Sequence, residues 1–281
     1  MAYAHRDDIH DADTHMMEKP DWISHFVDSD IKDSLEPFVG GKKEVLKEID
    51  EAISRFKERK SSPEKAKQAS EKFMSMKYKG WKGLGAFDSQ ERRLANDLLG
   101  FQAYILFPTS AFNQVIAAKE EKVLIGGIQA LNRGLATFSE EDKRMFPTAY
   151  IPLGLGPDLS IKFLNEAINM DFSLILIDTV APISQISFTH PDYYKFWSKV
   201  EEADIAVTLH VGADGGYSPV PKSFYNNMKA VPTHVEGDAP NDALAYMAIQ
   251  YNAELFLSAM IFDGILERFP KLRIGVVELG A

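Results

Sequence analysis

SLILIDTVAPISQISFTHPDYYKFWSKVEEADIAVTLHVGA, residues 173–213, places two short apolar runs on either side of a helical pattern. The runs SLILIDTV and AVTLHVGA are apolar on consecutive residues and rich in Ile, Leu and Val, which is typical of strands buried on both faces. Between them, the spacing of Phe196, Trp197 and Val200 predicts an amphipathic helix. Strand, helix and strand in this order predict two parallel strands with a helix packed against them.

A comparable alternation of apolar runs and helical patterns extends over most of the chain. Further strand-like runs are QAYILFP at 102–108, TAYIPLG at 148–154 and LRIGVVELG at 272–280. An open nucleotide-binding sheet would carry a glycine-rich turn after an early strand, and this sequence shows none there. The pattern therefore favours a barrel, and a length of 281 residues suits a single α/β-barrel domain over residues 1–281.

A pair of amphipathic helices is predicted as an insertion near the N-terminus, over about residues 42–80. Residues 42–82 hold 13 Lys plus Arg against 7 Asp plus Glu, in a chain whose formal net charge is −10. We interpret these charges as solvated helix faces, because nucleic-acid binding requires a positive surface. The alternative, a basic patch for an anionic partner, predicts salt-dependent binding to phosphate polymers.

The overall composition indicates an ordinary globular protein, with 45% apolar and 26% charged residues. No run approaches the roughly 18 apolar residues that cross a bilayer, and the N-terminus does not resemble a signal peptide. We therefore expect a cytoplasmic protein with no membrane and no nucleic-acid partner. The chain has no cysteine, so any metal site must use nitrogen and oxygen ligands.

Reactive side chains follow the predicted carboxyl ends of the strands, where α/β barrels place their chemistry. These side chains are Asp13, His15 and Glu18 after the first strand, Asp178 after the fourth, His210 and Asp214 after the fifth, and Glu278 after the sixth.

The first and fifth strands carry a candidate metal site. Asp13 and His15 are two residues apart on a strand, so their side chains point to the same side. With His210 as a third ligand, the donors suit Zn²⁺ or Mn²⁺. From the residues alone the alternative remains open, because a D-x-H triplet occurs by chance and a buried strand histidine is often a core residue.

The strings DADTHMMEKPDW, TLHVGADG and FDGILERFPKLRIGVVELGA resemble the amidohydrolase superfamily. The similar branch is typified by aminocarboxymuconate-semialdehyde decarboxylase and is often called the amidohydrolase 2 family. The resemblance extends over nearly the whole chain and implies a metal-dependent (β/α)8 TIM barrel. It places Asp13 and His15 on the family's first-strand ligands and His210 on the fifth-strand histidine.

Four further residues receive roles beside the metal ligands. Where the family has a histidine on strand six, this chain has Glu278, which is therefore the candidate proton carrier together with His210. His190, Asp178 and Glu18 are candidates for substrate binding. Each has a plainer alternative: His190 could start the next helix, Asp178 could cap the turn that follows it, and Glu18 could lie on a surface loop.

The chain also departs from the family in strand number, because it shows six strand-like runs where the family has eight. The last two strands are apparently lacking, and with them the family's aspartate ligand on strand eight. We expect either a fragment or a barrel whose seam is closed by another polypeptide.

The resemblance implies an enzyme, a metal-dependent hydrolase or carboxy-lyase acting on a small carboxylated, aromatic or muconate-like substrate. Hydrolysis and non-oxidative decarboxylation both remain open, because they use the same ligands. A homodimer is also implied, since barrels of this branch are often dimers. The alternative from another class is a truncated or degenerate barrel that binds a ligand or partner without catalysis.

Overall fold

The computed structural model describes residues 3–4, 6, 8–38, 43–73, 79–179, 184–213, 220–228, 244 and 247–279. The chain divides into two compact units, Met1–Thr148 and Ala149–Ala281, and each is described by itself.

The first unit alternates parallel strands with helices. Strand β1 pairs with β2, and β2 pairs with β3, in parallel in both cases. The elements in chain order are β1 (His10–His15), α1 (Lys43–Ser61), α2 (Pro63–Glu71), α3 (Ser89–Leu99), β2 (Ala103–Phe107), α4 (Ser110–Ile116), α5 (Glu121–Ser139) and β3 (Met145–Ile151), whose last residues belong to the second unit.

Capping residues explain where two of these helices begin. The Ser62 hydroxyl accepts a hydrogen bond from the backbone N–H of Lys65 at 3.4 Å, and Pro63 occupies the first helical position of α2. The Asp88 carboxylate accepts the N–H of Glu91 at 2.8 Å at the start of α3. Helices α1 and α2 lie within the range predicted for the helical pair, about residues 42–80, and the assignment of that pair as an insertion stays a prediction.

Strand β1 is interrupted by a register shift between Asp11 and Thr14. The Asp11 carboxylate accepts the backbone N–H of Asp13 at 2.9 Å and the hydroxyl of Thr14 at 2.5 Å. An aspartate that bonds its own following backbone competes with the ladder and produces such irregularities. Thr14 is buried while Asp13 is exposed and His15 is half-buried, so the irregular strand still directs Asp13 and His15 to one side.

Helix α5 packs closely against the segment that follows β1. A Cβ atom on Gly134 would lie 2.5 Å from Cη2 of Trp22, and one on Gly126 would lie 2.2 Å from Cδ1 of Ile31. At Gly134 a Cβ atom would collide with the rigid indole, so glycine permits this approach, whereas at Gly126 the neighbouring atom is the flexible end of Ile31. The guanidinium of Arg133 on the same helix donates to the backbone oxygen of Phe26.

The second unit repeats the strand and helix alternation. Strand β4 pairs with β5, and β5 pairs with β6, again in parallel, with Leu174 opposite Ala206 and His210 opposite Val277. The elements in chain order are α6 (Pro157–Asn169), β4 (Leu174–Ile177), α7 (Tyr194–Glu202), β5 (Ala206–His210), α8 (Tyr251–Phe262), α9 (Ile265–Arg268) and β6 (Arg273–Val277).

The core of the second unit confirms the interpretation of residues 173–213. Ile175 and Ile177 of β4 are fully buried, as are Val207 and Leu209 of β5. The apolar face of α7 is buried as well, through Phe196, Trp197 and Val200. Strand β6 differs, because Val276 is 45% exposed.

Parallel strands that alternate with helices in both units fit an α/β TIM-barrel-like fold. The assignment of residues 1–281 to one domain and the lack of two strands stay predictions. None of the helices in the described part of the chain has the length and apolar character needed to span a lipid bilayer. A cytoplasmic location likewise stays a prediction.

Candidate functional site

The carboxyl end of β1 brings Asp13 and His15 together. Nε2 of His15 lies 3.2 Å from Oδ1 of Asp13, and the two side chains are 32% and 37% exposed. The sequence prediction that these side chains share one side of the strand is therefore confirmed in geometry. An imidazole nitrogen and a carboxylate oxygen at this distance could both bind one divalent ion.

The other ring nitrogen of His15 contacts the loop after β2. Nδ1 of His15 lies 3.0 Å from the hydroxyl oxygen of Thr109, and that hydroxyl donates to the backbone oxygen of Met16 at 2.7 Å. Thr109 was not predicted from the sequence. The one available signal was its position directly after the strand-like run QAYILFP, at a carboxyl end.

Glu18 is fully buried, so the surface-loop alternative for this residue is wrong. One carboxylate oxygen accepts the backbone N–H of Thr109 at 2.9 Å, and the other accepts those of Ser110 at 2.8 Å and Ala111 at 3.2 Å. Burial raises the pKa of Glu18, and the backbone N–H donors oppose that rise. The carboxylate thus ties the end of β1 to the start of α4.

Like Glu18, Arg92 forms hydrogen bonds that fix the backbone at this end of β1. Its role was not predicted from the sequence. Its guanidinium donates to the backbone oxygen of His15 at 2.7 Å and to that of Gly85 at 2.7 Å. Burial lowers the pKa of Arg92 to about 10, because the charged form is desolvated. Arg92 therefore holds the backbone of the proposed ligand His15 rather than its ring.

In the second unit, His210 and Glu278 lie at the carboxyl ends of the paired strands β5 and β6. Nε2 of His210 is 3.8 Å from Oε2 of Glu278. Nδ1 of His210 lies 2.8 Å from the backbone oxygen of Val211. A carbonyl oxygen can only accept, so Nδ1 carries the proton and Nε2 is the nitrogen directed at Glu278.

The backbone of Glu278 adopts a left-handed conformation, with φ 57. A non-glycine residue with positive φ is uncommon and costs conformational energy. The side chain is 49% exposed, whereas that of His210 is 6% exposed. Glu278 is therefore accessible to a ligand, while His210 is held within the protein.

Asp178 lies after β4, and its hydrogen bonds in the described part of the chain go to the end of β3 and the turn after it, not to the turn that follows Asp178. Its carboxylate accepts the backbone N–H of Leu153 at 3.1 Å and the hydroxyl of Tyr150 at 3.4 Å. Burial raises the pKa of Asp178 to about 6. The capped turn is the one that follows β3, and contact of Asp178 with a substrate stays a prediction.

His190 starts the helical segment before α7. Its Nδ1 accepts the backbone N–H of Asp192 at 3.2 Å, at the beginning of the 3-10 turn Pro191–Tyr193. The imidazole is 51% exposed. The helix-start alternative thus describes its hydrogen bonding, and a substrate contact stays a prediction. Asp214, the remaining strand-end carboxylate of the sequence, lies outside the described residues.

Ion pairs neutralise several cations of the basic segment 42–82. Arg59 forms a two-bond pair with Glu91, at 2.5 and 2.9 Å. Lys65 pairs with Glu58 at 2.7 Å, and Lys82 pairs with Glu48 at 3.1 Å. The interpretation of α1 and α2 as solvated helices without an anionic partner stays a prediction.

Comparisons of the chain with known proteins found matches only among solved structures. No protein-family model matches the sequence, and no curated protein matches it. An amidohydrolase from Mycobacterium avium subsp. paratuberculosis K-10 is similar, with 15% sequence identity and a TM-score of 0.67 over 99% of this chain and 74% of that chain.

Two decarboxylases are also similar in structure. A dihydroxybenzoic acid decarboxylase from Polaromonas sp. JS666, with bound manganese and the inhibitor 2-nitroresorcinol, has 15% identity and a TM-score of 0.53 over 96% of this chain and 65% of that chain. A 2,6-dihydroxybenzoate decarboxylase complexed with 2,6-dihydroxybenzoate has 22% identity and a TM-score of 0.50 over 74% and 61%.

These likenesses concern the fold. The structural neighbours carry amidohydrolase and decarboxylase names, which agrees with the resemblance noted in the sequence. The chain spans 74% of the length of the first neighbour and 61% and 65% of the two decarboxylases.

The donor set of the candidate ligands fits a divalent metal ion. In the first unit Asp13 and His15 offer one oxygen and one nitrogen donor, and in the second unit His210 offers a further nitrogen donor. In both histidines Nδ1 contacts a protein oxygen, which is the usual partner of the imidazole nitrogen that does not bind the metal, and Nε2 is left to face a ligand. The expected convergence of His15 and His210 on one ion stays a prediction.

Proposed function

We propose that this chain is a metal-dependent enzyme of the amidohydrolase 2 type. It acts on a small carboxylated substrate, aromatic or muconate-like, by hydrolysis or non-oxidative decarboxylation. The observation that carries the proposal is the shared arrangement of His15 and His210, each at the carboxyl end of a parallel strand with Nε2 directed at a carboxylate. The fold of the structural neighbours supports the same class.

The proposed ligands of a single divalent ion are Asp13, His15 and His210. Nitrogen and oxygen donors without sulfur suit Zn²⁺ or Mn²⁺, and one structural neighbour contains manganese. A bound divalent ion would supply Lewis-acid polarisation of substrate oxygens and would lower the pKa of water.

Glu278 is the proposed proton carrier. Its carboxylate is about half exposed and lies 3.8 Å from Nε2 of His210, so it can reach a substrate beside the histidine. In a decarboxylation the carbon that loses CO₂ keeps the electron pair and takes a proton, which Oε2 of Glu278 can deliver. In a hydrolysis the same oxygen removes a proton from the attacking water.

Substrate binding is proposed for the exposed ring of His190 and for the carboxyl group of Asp178. Glu18 has both carboxylate oxygens bonded to backbone N–H groups. Its contribution is therefore to orient the neighbouring ligand His15 rather than to touch a substrate.

Metal analysis of the purified full chain tests this proposal. After incubation with Mn²⁺ or Zn²⁺ and removal of excess metal, we expect about one ion per chain. His15→Ala and His210→Ala should each abolish retention, because the two rings are proposed to bind the same ion. His25→Ala is the matched control, since the His25 ring is 63% exposed and lies on a separate 3-10 turn.

The reaction itself is tested with aromatic carboxylates. The metal-loaded protein should release CO₂ from a dihydroxybenzoate or hydrolyse a small carboxylated ester or amide, and His15→Ala should do neither. A wild-type chain that retains no metal would favour the binding-module alternative. Retention of half the metal by each histidine variant would indicate two independent ions and would contradict the shared site.

A further inference from the structure

We infer that Thr109 and Glu18 are positioning residues that fix the orientation and proton position of the His15 ring. The inference rests on the proposed function of His15 as a metal ligand. It concerns residues of the first unit only.

The hydroxyl of Thr109 has one proton, and its direction decides the proton position on His15. That proton goes to the backbone oxygen of Met16 at 2.7 Å. The hydroxyl oxygen can therefore only accept from Nδ1 of His15, which lies 3.0 Å away. Nδ1 carries a proton as a result, and Nε2 is the nitrogen that faces Asp13.

Glu18 fixes the place of that hydroxyl. Its buried carboxylate binds the backbone N–H groups of Thr109, Ser110 and Ala111. Glu18 follows His15 by three residues, so these bonds connect the chain after β1 to the loop after β2. The Thr109 hydroxyl in turn bonds to Met16 and His15. The hydrogen bonds of Glu18 and of Thr109 thus form one network at the end of β1.

Without the Thr109 hydroxyl, Nδ1 of His15 would lose its hydrogen bond to that oxygen. The neutral ring would then favour a proton on Nε2, because Nε2 could donate to Oδ1 of Asp13 at 3.2 Å. A protonated Nε2 has no lone pair to give to a metal ion. Metal binding would have to displace that proton first, so affinity would fall.

Three substitutions distinguish the contribution of the Thr109 hydroxyl from that of the side-chain shape at residue 109 and from that of the Glu18 carboxylate. Thr109→Val removes the hydroxyl and keeps the branched shape, whereas Thr109→Ser keeps the hydroxyl. Glu18→Gln keeps the length of the side chain but replaces one acceptor oxygen with a donor group. Thermal unfolding of each variant shows whether it is folded.

The first measurement is long-range ¹H–¹⁵N NMR of the metal-free full chain, at a pH where imidazole is neutral. The His15 signals are assigned by their disappearance in His15→Ala. We expect a proton on Nδ1 in the wild type and in Thr109→Ser. In Thr109→Val we expect the proton to move to Nε2, which a purely structural role of Thr109 would not produce.

The second measurement is the dissociation constant for Zn²⁺ and Mn²⁺. Loss of a group that orients a metal ligand typically weakens binding by about 10- to 100-fold, and we expect this for Thr109→Val and Glu18→Gln. Thr109→Ser should restore affinity to near the wild-type value.

The two measurements distinguish failure of this inference from failure of the proposed function. A wild-type His15 with an unprotonated Nδ1, or a Thr109→Val variant with an unchanged proton position, overturns the inference. A wild-type chain that binds no metal overturns the proposed function, while the NMR result still decides the role of Thr109.

Discussion

The His15 end of β1 and the His210 end of β5 reach a similar arrangement by different means. At the first, Nδ1 of His15 contacts the side chain of Thr109, 94 residues further along the chain. At the second, Nδ1 of His210 contacts the backbone oxygen of Val211, the next residue. The ring of His15 is thus supported by remote residues, whereas that of His210 is supported by its own backbone.

This difference shows which of the hydrogen bonds that hold the two histidines can be removed by mutation. A substitution at residue 109 or 92 removes a hydrogen bond at His15, but no side-chain substitution at residue 211 removes its carbonyl oxygen. We therefore expect mutations of the residues that hold the histidine to change the structure at the His15 end more than at the His210 end. The following predictions test this comparison, from the largest expected effect to the smallest.

The largest effect is expected for Glu278→Gln, because an amide cannot carry the proton. The turnover rate should fall by about 10²- to 10⁴-fold, which is the usual range for loss of a general acid or base. Metal content should stay near that of the wild type. Asp13→Asn is the matched carboxylate-to-amide change at the other histidine and should lose metal as well as activity. Equal metal loss in both variants would contradict the different roles proposed for the two carboxylates.

Arg92→Leu should destabilise the His15 end. The substitution leaves the backbone oxygens of His15 and Gly85 without the guanidinium that binds both. Each of the two carbonyl oxygens loses its hydrogen-bond donor, and a buried acceptor without a donor is destabilising. The free energy of unfolding should therefore fall by about 2–4 kcal/mol. Chemical denaturation measures the change, and the neighbouring exposed Arg93, replaced in Arg93→Leu, is the control. Similar losses in both variants would show that the bonds to the His15 end are unimportant.

Asp178→Asn should change how stability depends on pH. Burial raises the pKa of Asp178 from an ordinary 3.8 to about 6, so the folded protein binds a proton in this range that the unfolded chain does not. The corresponding stabilisation is complete below about pH 4 and is lost as the pH rises through 6. A two-unit shift corresponds to about 2–3 kcal/mol.

Denaturation of the wild type and of Asp178→Asn at pH 4 and pH 7 measures this effect. The stability of the wild type relative to the variant should increase by that amount on going from pH 7 to pH 4. A constant difference between the two proteins would show that the pKa of Asp178 is ordinary.

The smallest effects are expected from two matched threonines, one in each unit. The buried hydroxyl of Thr148 donates to the backbone oxygen of Leu106 at 3.1 Å, and that of Thr208 donates to Ile175 at 2.7 Å. Each Thr→Val variant should lose about 1 kcal/mol of unfolding free energy. Thr137→Val, at an exposed position of α5, should stay within about 0.5 kcal/mol of the wild type. A larger loss at one strand pair would show that its hydroxyl has a further role.

The strands and the ligand candidates could be predicted because their signals are local. Consecutive apolar residues marked β2, β4 and β5, and a spacing of two residues placed Asp13 beside His15. The contacts of Thr109 and Arg92 could not be predicted, since they join residues 94 and 77 positions apart in the sequence. No periodic pattern encodes such a pairing, and only the fold reveals it.

The carboxylates illustrate the same limit. A glutamate in a loop after a strand is ordinarily exposed, and nothing near Glu18 indicates that three backbone N–H groups from residues 109–111 will surround it. Asp178 was recognised as a capping candidate, but the N–H that it accepts belongs to Leu153, 25 residues earlier. The register shift in β1 coincides with the hydrogen bonds of a single side chain, that of Asp11.

The two glycines of α5 that face Trp22 and Ile31 have a consequence for how this part of the chain becomes ordered. A glycine inside a helix costs roughly 0.5–1 kcal/mol relative to alanine, so α5 is intrinsically weakened at two positions on one face. The indole of Trp22 and the side chain of Ile31 fill the space that the missing methyl groups leave. Helix α5 and the segment from Trp22 to Ile31, which follows β1 in the chain, therefore stabilise each other. We expect them to fold and unfold as one cooperative unit.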